Sequence, residues 1–116
     1  MLRVLFVTAP PKAAAKLARA LLKERLIACA NLLPGVRSLY WWQGRLESGA
    51  ETLLVMKAPA RNVARLLKRV PELHPYDVPE IIALPVVAAH KPYAKWVETE
   101  ATPRATSKPR KARKRR

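Results

Sequence analysis

Two side chains in this sequence carry the donor atoms that soft and borderline metal ions prefer. Cys29 is the only thiol, and His74 is one of two histidines. A thiolate suits Cu(I) or Zn, and a neutral imidazole is the commonest protein ligand for metals. One sulfur does not hold a metal tightly, so Cys29 needs His74, a carboxylate or further copies of the chain. The competing role for Cys29 is a small buried apolar side chain. For His74 it is a hydrogen-bonded structural histidine at a subunit contact. Pro75 biases His74 towards extended backbone, whereas His90, beside Lys91-Pro92, reads as a loop residue.

Tyr40, Trp41 and Trp42 are consecutive. On a strand Tyr40 and Trp42 share one face and Trp41 takes the other. Together with Glu51, Lys57 and Tyr76 they make either the wall of a cleft between subunits or plain oligomer packing, where Trp and Tyr are enriched. In the cleft reading Lys57 brings positive charge to a small anionic metabolite, and Tyr40 or Trp42 offers a stacking face. Asp77 and Glu80 stand three apart in a proline-bounded segment. On an extended chain they face opposite ways, which argues against joint acid–base or hard-cation chemistry. Asn31, in an apolar strand, must find a hydrogen-bond partner.

Several chemistries are disfavoured. The sequence has only 3 glycines and no phosphate-cradling loop. After the first strand, Ala9-Pro10-Pro11 removes backbone donors that an oxyanion would use. No Ser-His-Asp or Cys-His pattern stands in a recognisable context, so no enzyme and no organic cofactor are expected. Aromatics are only 6% of the chain and lack the spacing of RNA-reading sheets.

The elements that must position these residues follow from periodicity. Residues 2–8 are apolar on both faces of a strand. Pro10-Pro11 ends that strand and suits a helix first turn. Ala14, Leu17, Ala18, Leu21 and Leu22 then form the apolar stripe of a helix over 12–25. Residues 27–33 and 36–42 read as two strands divided by Pro34-Gly35. Gly44 and Gly49 bracket a turn before a strand at 52–57. Asn62 suits a helix cap, and Val63, Leu66, Leu67 and Val70 share a helix face that Pro71 ends or kinks. Residues 81–87 form a last strand and 92–98 a short terminal helix.

The order is that of an α+β, ferredoxin-like βαββαβ fold, an antiparallel sheet with two helices on one face plus a short C-terminal helix. The first and last strands are apolar on both faces, so the second sheet face requires cover. A homo-oligomer supplies it.

The chain is 116 residues long with a net charge of +15, enough for one domain and a core without disulfides or structural metal. Residues 103–116 hold 8 of the 23 basic residues and no acid. The domain is therefore expected at 1–102, with 103–116 a disordered basic tail. Such a tail either solubilises or tethers the chain nonspecifically to nucleic acid or another anionic surface. No apolar run approaches the ~20 residues of a membrane span. The apolar start reads as a strand rather than a signal peptide, and a free thiol suits a reducing compartment, so a cytoplasmic location is expected.

Two longer stretches carry more than pattern: CANLLPGVRSLYWWQG at 29–44 and ELHPYDVPEI at 72–81. With the opening VTAPPKAAAKLARALLKERLIACAN, the series Ser38-x-Tyr40-x-Trp42-x-Gly44, and Glu51, Lys57, Tyr93 and Trp96, they resemble the CutA family of divalent-cation tolerance proteins from Arg3 to Trp96. The resemblance implies a ferredoxin-like tight homotrimer related in architecture to PII-type signalling proteins. It implies a response to metal ions, copper being the metal most often associated, with no established turnover. The family motif begins at Cys29, and with His74, offered by its imidazole chemistry, it makes up the expected metal ligands, copper first. The alternative is a PII-like small-molecule sensor with its cleft at Tyr40, Trp42, Glu51, Lys57 and Tyr76. Two departures are Ala58-Pro59, where a threonine pair is usual after the lysine, and Pro71, where a polar helix residue is usual.

Overall fold

The computed structural model describes residues 1–103. From residue 104 on, the expected basic tail lies outside the described residues. Strand β1 (Leu2–Ala9) leads to helix α1 (Pro11–Lys23). A long hairpin follows, β2 (Cys29–Trp42) and β3 (Arg45–Pro59). A short 3₁₀ turn at Ala60–Asn62 opens helix α2 (Val63–Leu73). Strand β4 (Ile81–Pro85) and helix α3 (Lys91–Glu100) complete the order.

The strands form one antiparallel sheet in the order β2-β3-β1-β4, the ferredoxin-like arrangement. Alternation sorts its side chains onto two faces. Leu5, Val7 and Ala9 of β1 and Leu54, Met56 and Ala58 of β3 meet Ala14, Leu17, Ala18 and Leu21 of α1 and Leu66 and Val70 of α2 in a single buried core. Both βαβ helices therefore lie on one face. The opposite face carries Val4 and Phe6 paired to Leu84 and Ile82 on one side and to Lys57 and Val55 on the other. Towards β4 this face is apolar and open, with Ile82 48% exposed, while at its Cys29–Lys57 end Tyr93 of α3 comes within 3.5 Å of Cys29 Sγ.

Helix α1 starts where its prolines place it. Pro10 accepts bonds from the Ala13 and Ala14 amides through its carbonyl, and Pro11 needs no donor in the first turn. The helix closes through Arg25 in left-handed backbone, φ 61. A side chain there is unusual. Arg25 is held by its guanidinium, which bonds the Glu100 carboxylate at 2.8 Å and the Glu100 carbonyl at 3.2 Å.

Four local expectations change. Pro34-Gly35 does not divide two strands. It is an irregularity inside β2, where the register against β3 slips between Leu33 and Val36 and Gly35 takes φ 78. The hairpin turn is Gln43-Gly44, both at positive φ, as a tight two-residue loop requires. Gly49 lies within β3. Pro71 does not end α2, which runs on to Leu73. Its ring removes one backbone bond near the helix end, and the His74 amide still closes the last turn on the Val70 carbonyl at 2.9 Å. Asn62 makes no capping bond. It is buried, and its amide donates to the Leu26 carbonyl at 3.0 Å and the Ala101 carbonyl at 2.7 Å.

Glu98 of α3 joins three chain segments. It pairs with the N-terminal ammonium at 3.3 Å and with Arg61, and Arg61 also reaches Thr102. Burial pushes the Glu98 carboxyl up, but Arg61 and the ammonium outweigh it and hold it below the ordinary 4.5. A carboxyl lowered in the folded state contributes stability above its unfolded pKa and loses it as pH falls through the folded value. The expected outcome is a Tm that falls on acidification below about pH 4.5 more steeply for the native chain than for Glu98→Gln. Parallel acid limbs in the two melting series would remove Glu98 from the acid response.

Candidate functional site

The long hairpin projects beyond the sheet, and its aromatic tip faces the connection between α2 and β4. Residues 38–42 of β2, residues 75–80 of that connection, and Thr8 and Glu51 of the sheet surround a cavity of about 820 Å³. Tyr40, Trp42, Glu51 and Tyr76 are thus brought to one place. Lys57 is not. It pairs across the sheet with Cys29 and donates to the Asn31 side chain. Asn31 thereby has the partner its strand position demands, and the positive charge expected in the cleft lies elsewhere.

His74 fixes the connection to the sheet. The Tyr76 amide donates to His74 Nδ1 at 3.1 Å, so Nε2 carries the proton and donates to the Thr8 carbonyl at 2.8 Å. The His74 and Tyr76 rings pack at 4.7 Å. The Tyr76 hydroxyl in turn donates to Glu51 Oε2 at 2.9 Å. Burial, with the adjoining Glu51 carboxylate, pushes the Tyr76 phenol up to about 12. It remains a donor throughout the physiological range.

Asp77 and Glu80, expected to point apart, both line the cavity. The backbone bends from 75 to 78 rather than running extended, and a bend breaks the alternation on which that expectation rested. The bracketing Pro75 and Pro79 are the sequence signal for it. Thr8, Ser38, Leu39 and Val78 also line it and carry no sequence signal for that place.

The proposed metal donors do not converge within one chain. Cys29 lies opposite Lys57, whereas His74 bonds at Thr8, whose β3 partner is Leu53. Four residues along a strand separate those positions by about 13 Å. Both His74 ring nitrogens are already engaged. No three His, Cys, Asp or Glu side chains among the described residues are placed to hold a metal ion. A single chain does not fit a tightly bound copper. Cys29 is half-buried, with its Sγ 3.5 Å from the Tyr93 hydroxyl.

Comparison with known proteins bears on what this scaffold is. The family model described as CutA1 divalent ion tolerance protein matches residues 3–100. The chain belongs to this family. Among CutA relatives, the divalent-cation tolerance protein CutA of Thermus thermophilus is 42% identical over 98 residues, covering 84% of this chain and 95% of the relative. Protein CutA 1, chloroplastic, of Oryza sativa subsp. japonica is 42% identical over 96 residues, covering 82% of this chain. The chain spans only 54% of that rice relative's length. A solved structure titled PII-like protein CutA in apo form, from a Nostoc species, superposes with TM-score 0.83 at 36% identity, covering 88% of this chain and 99% of the other. The ferredoxin-like, PII-like fold of a CutA protein is therefore shared across these relatives. Among the described residues no helix is long and apolar enough to cross a membrane.

Proposed function

We propose that this chain works as a homotrimeric divalent-cation tolerance protein of the cytoplasm, meeting copper or a similar divalent cation without turnover. The observation that carries the trimer is the sheet face turned away from α1 and α2, where Phe6, Ile82 and Leu84 form an apolar surface that their own chain covers only in part. Covering such a face is worth roughly 25 cal/mol per Å² of apolar area. Family membership supports the metal-response role. Since donors within one chain stay apart, the metal is met across subunits, with Cys29 as the soft donor each copy brings. His74 joins only if it gives up its bond to Thr8.

The test is a calorimetric titration of the full chain with copper and zinc in reducing buffer at neutral pH. Saturation at a whole number of ions per trimer is expected. Cys29→Ser is expected to weaken copper by about 10-fold or more, since a hydroxyl is a poor ligand for a soft metal, while leaving the oligomer intact. Unchanged affinity in that variant would take Cys29 out of the role.

A second reading has its own observation. The cavity between hairpin and connection is of the size and aromatic character of a small-molecule site, which supports a PII-like sensor with its ligand cleft beside the neighbouring subunit.

A further inference from the structure

The charged side chains lining the cavity are Glu51, Asp77 and Glu80, all acidic. Among the described residues no Lys or Arg lines it. That is against expectation in a chain with a net charge of +15. Four of the other five carboxylates are met by arginines: Glu24 and Glu72 by Arg69, Glu98 by Arg61, and Glu100 by Arg25. The three in the cavity have no such partner among the described residues.

Glu51 is the decisive group. It is only 7% exposed. One carboxylate oxygen accepts from Tyr76. The other has no hydrogen bond among the described residues, where no buried polar side-chain atom is left unsatisfied, so this oxygen keeps contact with solvent. A carboxylate this enclosed gains from a cation that replaces the little water its free oxygen can reach. Tyr76 touches it through its hydroxyl, and the rings of Tyr40, Trp41 and Trp42 line the same cavity further along the hairpin. Aromatic faces attract ammonium and guanidinium groups through the negative face of the ring. The three carboxylates do not converge into the cage an inorganic ion needs. They surround a space large enough for an organic molecule.

We propose that this cavity binds an organic ammonium ion on an apolar body, its charge towards Glu51 and its body against the aromatic wall. The proposal rests on the cleft reading above and reverses the sign of the ligand that Lys57 suggested. Within one chain Lys57, six residues along β3 from Glu51, is too far to contribute.

The test is a charge series on one apolar body, added to the full chain: 4-phenylbutylammonium, 4-phenylbutan-1-ol and 4-phenylbutyrate. Binding is read by Trp fluorescence and by thermal shift. The cation is expected to bind ~10-fold or more tighter than the alcohol, and the anion weakest. Glu51→Gln keeps the shape and the acceptor for Tyr76, and is expected to abolish the preference for the cation. If that buried variant does not fold, the exposed pair Asp77→Asn and Glu80→Gln is expected to reduce the preference. Trp41→Ala, at a 70% exposed position, is expected to weaken the cation more than the alcohol. Equal binding of cation and alcohol overturns the proposal and leaves the cleft reading standing. Tightest binding of the anion overturns it and restores a basic-cleft account. No binding of any of the three at millimolar concentration overturns both.

Discussion

A chain carrying Ile82→Glu will behave as a folded monomer of 13.0 kDa, while the native chain will sediment at three times that mass. Ile82 lies on the sheet face away from α1 and α2, beside Phe6, and is half-exposed in the isolated chain. It has no part in the core formed with α1 and α2. Its replacement therefore costs the single chain little. In the assembly the same change places a carboxylate from each copy into an apolar contact. Each would pay a desolvation cost of several kcal/mol without a partner. The effect is multiplied by the number of copies, so the association equilibrium shifts by many orders of magnitude. Sedimentation gives the mass, and far-UV circular dichroism reports that the secondary structure survives. A trimer that persists in Ile82→Glu would mean that subunits meet through some other surface.

Asn62→Ala will lower the unfolding free energy by about 2–4 kcal/mol, large for one polar side chain. The amide of Asn62 donates to two carbonyls from distant segments, Leu26 after α1 and Ala101 after α3. Both bonds lie in a buried setting. Truncation removes them and leaves two acceptors without donors, each costing about 1–3 kcal/mol when water cannot reach it. Asn62→Asp will be worse, because it turns an oxygen and a negative charge on carbonyl oxygens. Denaturant melts of the three chains would order as native, Ala, Asp. A loss under 1 kcal/mol for Asn62→Ala would mean that water fills the gap.

The fold was legible where periodicity and proline agreed. Leu5 and Val7 against Val4 and Phe6 announced a strand with two apolar faces, and the α1 stripe from Ala14 to Leu21 matches the buried positions. The breakers were harder to read. Pro34-Gly35 looks like a turn, but a long strand absorbs such a pair as a register slip when both flanks still find β3. Pro71 falls near the end of α2, where the loss of one backbone bond is small beside the burial of Leu66 and Val70. Asn62 suits a cap by residue type, yet capping draws on local geometry and the tertiary partners of Asn62 are 36 and 39 residues away.

For the site, the aromatic group was visible as a cluster in sequence, and Glu51 and Tyr76 came with it. Lys57 lies six residues along β3 from Glu51, so within one chain the two do not meet, a separation that residue type alone does not reveal. Asp77 and Glu80 were separated on paper by an alternation that the bend at 75–78 cancels. Cys29 and His74 were joined by donor chemistry alone, and donor type says nothing about distance.

The strand order has a consequence for how copies of this chain meet. Its two outer strands are β2 and β4, and each contains a proline, Pro34 within β2 and Pro85 at the end of β4. A proline on a sheet edge presents no N–H to an incoming strand, and the slip at Pro34 twists the ladder there as well. A chain with so much apolar strand is at risk of templating its own polymerisation into cross-β fibrils. These edges discourage that route while leaving the flat face free. A contact ends after a fixed number of copies only when its rotation closes, and interrupted edges reduce the chance of an open-ended strand-to-strand one.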